Sequence, residues 1–365
     1  MKILHILYSG LGGHGNVFFS MVAADKKSDF KYEALLFGIE DAREQYLQKA
    51  TENKIPYYTV KKRPGLDIGS YKKITDVIKQ SKPDILFLHN SVYILPAKYA
   101  AVFSKKKIKI IIRETQPNHL KTLKEWVSLS FCFLAATKIV FLSTQYKETV
   151  KNKLALFFKE DRTAVIPNGI DLNIYKPAKE EKRDYIKFGM QSRLSATKDH
   201  ETLIYAFSIL LKEMQNDTTA QLWIAGDGEC KPTLEALVEK LEITQNVVFT
   251  GLIDESDLPQ FINSLDIYIH ATLGETMSTA IMQVMACRLP IIATDVPGVN
   301  NMIQHKINGL LVPAKDPVNL ASAMQLYRQD KTFSEQMAEN AFNFAAANYS
   351  NEKMFAAYKL IFEEN

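Results

Sequence analysis

A single carboxylate, Glu275, stands where the chain leaves a predicted strand and enters an apolar helix. At a helix start the first N–H groups lack partners within the helix, and together with the helix dipole they favour an anionic ligand. The residues concerned are Met277, Ser278 and Thr279. Eight residues after the glutamate, Gln283 interrupts this apolar helix, and a buried amide needs a hydrogen-bonding partner. These positions predict a pocket for an anionic ligand rich in hydroxyl groups.

Two cations lie in an earlier loop. Arg193 and Lys198 follow a predicted strand at 185–190 and precede a predicted helix at 199–213. A planar guanidinium and a compact ammonium together suit a diphosphate. The alternative is two surface cations. They would gain nothing from the dipole at a helix start, which favours the functional interpretation.

Three further places are weaker candidates. Gly12 and Gly13 belong to a glycine-rich loop after the first strand, where backbone N–H groups can approach a phosphate or sugar, although such a loop is as often only a tight turn. Gly251 and Leu252 follow another strand, where backbone groups could hold a nucleoside or form a plain turn. His89 and His270 each end a strand, where a histidine could serve a site, although a lone histidine there is more often structural.

Short apolar runs alternate with helical patterns along the whole chain, which predicts βαβ units and parallel sheets. The predicted fold class is α/β, with two doubly wound halves in tandem facing a central cleft. In such sheets ligands bind beyond the carboxyl ends of the strands. The predicted strands are 2–8, 33–37, 56–60, 84–88, 108–113, 138–142, 163–166, 185–190, 220–225, 247–250, 266–270, 290–294 and 309–312.

A change in composition marks the boundary between the halves. The stretch 166–171 and the charged segment 179–184 have the composition of a linker. We therefore predict an N-terminal Rossmann-like domain at 1–175, a C-terminal one at 176–347, and a last helical segment at 348–365.

Charge is unevenly distributed between the halves. Residues 1–175 carry 28 lysines and arginines against 16 acidic residues, a net charge of +12, whereas the remainder has a net charge of −8. A basic half suits an anionic partner such as a phosphorylated acceptor or lipid headgroups, although lysine clusters are also ordinary solvated surface. No basic motif interleaved with aromatic residues supports a nucleic-acid partner.

The sequence also indicates the cellular compartment and gives no sign of a metal or disulfide site. The three cysteines show no disulfide or metal-ligand spacing, and no apolar run approaches the length of a membrane span. The first residues are too few and too polar for a signal peptide. We expect a cytoplasmic protein that binds no metal ion and no resident cofactor.

Taken together, the motifs resemble the retaining glycosyltransferases of family four, which have the GT-B fold, over nearly the whole chain. The matching pieces keep the family's order and spacing. They are Gly12-Gly13, Ile166-Pro-Asn-Gly-Ile-Asp171, Ser192-Arg-Leu194 with Lys198, Ala225-Gly-Asp-Gly-Glu229, Val248-Phe-Thr-Gly251, Asp266-Ile-Tyr-Ile-His270, Glu275, Leu289-Pro-Ile-Ile-Ala-Thr-Asp295, Pro297-Gly-Val299 and Asn308-Gly-Leu-Leu-Val312.

The resemblance implies a role for each matching position. Arg193 and Lys198 match the cations that hold the donor diphosphate, and Glu275 matches the acid that meets the donor sugar. The residues 277–279 match positions whose backbone amides meet the phosphate or sugar. The loop from Gly251 matches the edge that contacts the nucleobase. The last helix, at about 350–363, should cross back to the first domain.

Two departures from the family pattern concern the site. Gln283 stands where the family has a second acid that accepts hydrogen bonds from ribose, and an amide oxygen accepts without charge assistance. Many members carry a histidine after the strand that matches 108–112. Here either Arg113 or Glu114 takes that place, and the residues leave the choice between them open.

The resemblance implies a retaining, metal-independent transferase. It would move a hexose or N-acetylhexosamine from a nucleotide-diphosphate sugar, with UDP favoured, to a glycan or lipid-linked saccharide in cell-surface polysaccharide synthesis. The basic first domain would serve the acceptor and contact the inner face of the cytoplasmic membrane. The stretch 121–131, with Trp126 and Phe131, is a candidate membrane-facing segment or an ordinary amphipathic core helix. The open alternatives are an epimerase or hydrolase of the same fold and a non-catalytic sugar-nucleotide binder.

Overall fold

A computed structural model describes residues 1–10, 13–65, 67–104, 106–178, 184–214 and 220–364. The chain divides into two compact units. Unit 1 comprises Met1–Gly169 and Asn351–Asn365, and unit 2 comprises Ile170–Ser350. Residues 179–183, within the segment assigned to a linker, lie outside the described part.

Unit 1 is built on a parallel sheet of seven strands in the order β3-β2-β1-β4-β5-β6-β7. The strands are β1 Lys2–Tyr8, β2 Lys31–Gly38, β3 Tyr57–Lys61, β4 Ile85–Leu88, β5 Lys109–Arg113, β6 Lys138–Phe141 and β7 Thr163–Val165. The helices between them are α1 Gly13–Ala24, α2 Glu44–Glu52, α3 Ile68–Ser81, α4 Ile94–Val102, α5 Leu123–Ala135 and α6 Thr144–Lys153.

Unit 2 is built on a parallel sheet of six strands in the order β10-β9-β8-β11-β12-β13. The strands are β8 Ile186–Gln191, β9 Ala220–Ala225, β10 Val247–Gly251, β11 Ile267–His270, β12 Ile291–Thr294 and β13 Leu310–Val312. The helices are α7 His200–Glu213, α8 Lys231–Lys240, α9 Leu258–Asn263, α10 Thr279–Ala286, α11 Pro317–Gln329 and α12 Lys331–Asn348. The last helix, α13 Asn351–Glu363, belongs to unit 1.

Both sheets are covered on both faces, which explains why their strands are apolar throughout. All four residues of β4 and of β12 are buried, as expected for parallel strands between two helical layers. In unit 1, residues of α1, α2 and α13 fill one core, and residues of α3, α4, α5 and α6 fill the other. The prediction of doubly wound α/β halves is confirmed.

The strand order reverses once in each sheet, and this position determines where a site can form. In unit 1 the reversal lies between β1 and β4, and in unit 2 between β8 and β11. Beyond the carboxyl ends of the strands at such a switch point the loops diverge and leave a crevice. His89 follows β4, and Arg193 follows β8 by two residues.

One helix ends before the apolar residues that follow it in the sequence. Helix α6 ends at Lys153. Leu154 and Phe158 pack against the core, and the Phe158 ring lies 5.1 Å from that of Phe133. Burial of these two side chains therefore outweighs continuation of the helix. Among the described helices, none combines the length and apolar character needed to cross a bilayer.

Candidate functional site

Glu275 is the centre of the polar site in unit 2. Its Oε1 accepts hydrogen bonds from the Lys198 ammonium and from His270 Nε2, the latter at 2.6 Å. The glutamate side chain is 12% exposed and that of Lys198 22%, so the pair is largely but not completely closed from solvent. Burial alone would raise the pKa of Glu275, but the His270 ring and the Lys198 charge hold this pKa far below its usual range. The carboxylate is therefore ionised at neutral pH.

The backbone of Glu275 is held by the turn that follows β12. Its N–H donates to the Pro297 carbonyl at 3.0 Å. Gly298, at φ 86°, packs so closely that a Cβ there would overlap the Glu275 carbonyl oxygen. Only glycine combines this backbone conformation with this approach, which explains the Pro-Gly pair that the sequence carries here.

Lys198 reaches Glu275 because two loops are joined by hydrogen bonds. Thr197 O accepts from Leu273 N at 2.9 Å and from the Thr272 hydroxyl at 3.1 Å. These bonds fasten the loop after β8 to the loop after β11. The Arg193 side chain, at the start of the same loop, is exposed. The structure therefore brings Lys198 and Glu275 together and leaves Arg193 facing solvent.

His270 and Tyr268 belong to the site. The sequence indicated His270 only weakly, as a lone histidine at a strand end, and did not single out Tyr268. His270 is 1% exposed; its Nε2 also lies 3.3 Å from Ser278 Oγ, and its Nδ1 lies 3.5 Å from the Tyr268 hydroxyl. The sequence does indicate His270 as a neighbour of the glutamate, because His270 ends a strand five residues before Glu275. A strand end and a helix start in the same loop region are close in space.

Helix α10 begins later than the first of the predicted amide donors. Thr279 is its first residue, Ser278 is its N-cap, and Met277 lies in the preceding loop. The Ser278 hydroxyl accepts from Ile281 N at 3.3 Å, which satisfies one of the helix's unpaired N–H groups. The remaining N–H groups of the first turn, at Thr279 and Ala280, follow four and five residues after Glu275.

Gln283 is buried in a chain of neutral hydrogen bonds. Its Oε1 accepts from Gln191 Nε2 at 2.6 Å, and its Nε2 donates to the Tyr175 hydroxyl at 2.8 Å. The Tyr268 hydroxyl donates to the Gln191 carbonyl at 3.3 Å. This hydrogen-bonded chain connects Gln283 to the ring beside His270. The sequence predicted that a buried amide would need a partner, and the structure supplies two.

Gly251 and Leu252 lie at the carboxyl end of the edge strand β10. The Gly251 carbonyl accepts from Gly226 N at 2.8 Å, and Gly251 has φ 73°. Leu252 is 68% exposed. These two residues thus border the same edge of the sheet as Gln191, at the ends of β8, β9 and β10.

In unit 1 the candidates cluster near the switch point between β1 and β4. His89 is fully buried, and its Nε2 lies 3.0 Å from His5 Nδ1. His14, in the first turn of α1, has its Nε2 3.1 Å from the Thr115 hydroxyl. Gly13 is the exposed first residue of α1, whereas Gly12 lies outside the described residues.

Arg113 and Glu114 follow one another at the end of β5 but have different surroundings. Arg113 is 3% exposed, and its guanidinium donates from Nη2 to Asn168 Oδ1 and lies beside Tyr358; burial lowers the pKa of Arg113. Glu114 is fully buried, with its Oε1 3.3 Å from Lys121 Nζ. Neither side chain is accessible to solvent.

The buried imidazoles of unit 1 are neutral. Burial lowers the pKa of His5 to about 3, and burial followed by the Arg113 charge lowers the pKa of His14 to about 3. The pKa of His89 is lowered in the same direction, first by burial. Neutral rings can both donate and accept hydrogen bonds. Within the described residues, no group of three or more His, Cys, Asp or Glu side chains is arranged to hold a metal ion.

The two doubly wound sheets, with a charged site at the switch point of the second, define a two-domain α/β protein of the GT-B fold. Two family models match in sequence, Glycosyltransferase Family 4 at residues 11–174 and Glycosyl transferases group 1 at residues 173–344. Together the two models cover residues 11–344, and the chain belongs to the group 1 glycosyltransferases of the GT-B fold.

Relatives with curated names differ in what they transfer. The chain is 24% identical to N-acetyl-alpha-D-glucosaminyl L-malate synthase of Bacillus anthracis, over 87% of this chain and 83% of the relative. It is 23% identical to the UDP-Gal:alpha-D-GlcNAc-diphosphoundecaprenol alpha-1,3-galactosyltransferase of Escherichia coli, over 76% and 74%. Alpha-D-kanosaminyltransferase of Streptomyces kanamyceticus is 32% identical, but the match spans 43% of this chain and 40% of that relative.

Solved structures agree on the fold. Anabaena HepE in complex with UDP and glucose matches with a TM-score of 0.82, at 18% identity and over 100% of both chains. The same protein in complex with UDP-glucose matches with a TM-score of 0.82, at 20% identity and over 99% of both chains. At these identities the likeness establishes the fold alone.

Proposed function

We propose that this protein transfers a hexose or N-acetylhexosamine from a nucleotide-diphosphate sugar, with UDP favoured as the nucleotide, and retains the anomeric configuration. The observation that carries the proposal is the ionised Glu275 carboxylate, held by Lys198 and His270 just before the start of α10. One relative whose name includes UDP-Gal, and a structural neighbour solved in complex with UDP-glucose, support the same donor class.

In this proposal each residue of the unit 2 site has a separate task. Glu275 accepts hydrogen bonds from the donor sugar hydroxyls and is oriented for this by His270. Lys198, Arg193 and the first amides of α10 stabilise the negative charge that develops on the departing nucleoside diphosphate. These groups would supply the charge that a metal ion supplies in other transferases, so we propose a metal-independent reaction. The loop at Gly251 and Leu252 borders the nucleobase.

Unit 1 is proposed to serve the acceptor. Its net positive charge suits a phosphate-linked or otherwise anionic acceptor, and the acceptor class we propose is a glycan or a lipid-linked saccharide in cell-surface polysaccharide synthesis. We place the reaction in the cytoplasm, with peripheral contact of unit 1 at the inner face of the membrane. The residues His89, Arg113 and Glu114 are proposed to shape this part of unit 1.

The decisive experiment follows nucleoside diphosphate release by the purified protein from a panel of UDP-, GDP- and ADP-sugars, with and without EDTA and with candidate acceptors. We expect release from one donor that EDTA does not reduce, and NMR of the product should show the donor's anomeric configuration. Conversion without any acceptor would indicate an epimerase or hydrolase instead. Failure of every nucleotide to bind would contradict the site built on Lys198 and Glu275.

A further inference from the structure

Helix α4 is apolar on its outer face as well as on its inner face. Ile94, Ala97 and Ala100 pack into the core of unit 1. On the opposite side five apolar residues are 41–63% exposed and follow one another at helical spacing, forming what we call the α4 stripe: Val92, Leu95, Tyr99, Val102 and Phe103. A helix that is apolar all round is normally covered on all sides. The outer face of α4 therefore suits an apolar partner.

Helix α5 extends this surface. The Ser128 hydroxyl donates to the Ser91 carbonyl at 3.0 Å, which places α5 beside the start of α4. Leu123 and Val127, one turn apart near the start of α5, are 80% and 61% exposed. We call the α4 stripe together with Leu123 and Val127 the α4–α5 face.

The structure changes which side chains of the segment 121–131 can face a membrane. Trp126 and Phe131 pack against the core of unit 1, although the sequence made them the membrane-facing candidates. Lys121 is buried against Glu114. The exposed residues of this segment are instead Thr122, Leu123, Lys124 and Val127.

The charge around the α4–α5 face is predominantly positive. Between residues 92 and 131 the chain carries eight basic residues and two acidic ones, of which Arg113, Lys121 and Glu114 are buried within unit 1. Lys106, Lys107 and Lys124 are exposed, and Lys106 forms an ion pair with Asp84. Apolar side chains flanked by lysines suit the headgroup region of an anionic bilayer, where both contribute to binding. A second copy of the chain would instead bring like charges together, which disfavours self-association through this face.

We propose that the α4–α5 face docks unit 1 on the surface of an anionic bilayer. The inference rests on the membrane contact included in the proposed function and specifies its location. Helix α4 begins after β4 and α5 after β5, so Val92 and Leu123 lie towards the carboxyl edge of the sheet, where His89 and Arg113 also lie. An acceptor anchored in that bilayer would meet unit 1 at this edge.

The test is co-sedimentation of the full chain with vesicles of phosphatidylcholine, with or without added phosphatidylglycerol. We expect binding to the anionic vesicles that weakens at high salt. A variant with Leu95→Gln, Tyr99→Ser and Val102→Gln should bind at least roughly tenfold more weakly, because each lost apolar side chain removes interfacial burial. The matched control is Leu360→Gln on α13, a side chain that is 69% exposed on a helix of the opposite layer, and it should bind like the unaltered protein.

Two results would overturn the proposal. One is equal vesicle binding by the triple variant and by the Leu360→Gln control. The other is a lipid-free dimer that the same three substitutions convert to a monomer, which would make the face a self-association surface. If the triple variant melts early, the single change Tyr99→Ser at unchanged melting temperature carries the test. Donor turnover measured without lipid reports on the transferase proposal separately, and these substitutions should leave it unchanged.

Discussion

Each unit places one glutamate beside one lysine near the carboxyl edge of its sheet, and the two pairs differ in their access to solvent. In unit 1, Glu114 and Lys121 have no exposed side-chain surface, whereas Glu275 and Lys198 in unit 2 are 12% and 22% exposed. The first pair is sealed under the loop that leads into α5. The second lies in a loop that leads into the start of a helix. The same pairing of residue types is thus closed in one unit and open to a ligand in the other.

The surroundings of the pairs show how the difference arises. Lys121 also donates to the Gln116 carbonyl and to Asn118 Oδ1, and its ammonium lies 4.7 Å from the centre of the Tyr146 ring. The hydrogen-bonding positions of the Lys121 ammonium are therefore taken by partners within unit 1. Glu275 makes its contacts with Lys198 and His270 through Oε1 alone. We infer that the pair of unit 1, whose hydrogen bonds are made within the unit, stabilises the fold. The pair of unit 2, in which these contacts engage one carboxylate oxygen, is suited to bind a ligand.

The largest expected effect is on turnover, from Glu275→Ala. We expect nucleoside diphosphate release to fall by roughly 10²–10³-fold, comparable with the removal of one preorganised group at a reacting centre. Steady-state kinetics with the identified donor would measure it, and circular dichroism should show an unchanged fold. Turnover at the unaltered rate would mean that the open pair is not the reaction site.

Breaking the closed pair should act on stability instead. Lys121→Met would leave the Glu114 carboxylate buried without its cation, and we expect a loss of about 3–5 kcal/mol in the free energy of unfolding. Urea denaturation followed by tryptophan fluorescence would measure this. The matched variant Lys198→Met should cost much less stability because its partner is partly exposed, while it weakens nucleotide binding. Equal losses of stability in the two variants would contradict the distinction between the pairs.

Acidification should destabilise both units through their buried histidines. Burial lowers the pKa of His5 and His14 to about 3 and of His200 to about 4, from 6.5. Below pH 6.5 the unfolded chain takes up protons that these folded residues do not, so stability must fall with falling pH. For a fully buried ring the loss between pH 6.5 and 5 is about 2 kcal/mol.

Denaturation measured between pH 7.5 and 5.5 isolates the contribution of the histidines. Glu275 also has a lowered pKa, but its contribution is lost only as the pH falls below about 4.5, its value in an unfolded chain. Denaturation curves at pH 7.5, 6.5 and 5.5 would therefore report on the rings. His5→Gln should reduce the pH dependence of the free energy of unfolding. An unaltered slope would show that the His5 ring is not neutral in the folded protein.

The smallest expected effect concerns Gln283→Glu. The Tyr175 hydroxyl and Gln191 Nε2 can both donate to a carboxylate at this position, so the fold should accept the change. Nucleotide affinity measured by calorimetry should stay the same or rise by about 1–2 kcal/mol, the difference between a neutral and a charged hydrogen bond. A clear loss of affinity would contradict a ribose contact at this position.

Local pattern was sufficient to predict the scaffold and to select the charged pair of unit 2. The alternation of apolar runs and helical patterns predicted all thirteen strands found in the described residues, because parallel strands buried on both faces need unbroken apolar sequence. Glu275 and Lys198 could be selected because a strand end and the following helix start are close in sequence as well as in space. His270 was named as a weak candidate only, because a lone histidine at a strand end is usually structural.

Tertiary packing alone decided which polar groups are sealed and which remain open. Nothing near Glu114 in the sequence indicates that Lys121 and Tyr146 close over it, since these contacts depend on how the loop after β5 folds back. The partners of Gln283 lie 92 and 108 residues away along the chain. The outer face of α4 is likewise visible only in three dimensions, because an apolar helix shows one composition whether its neighbours cover one side or both.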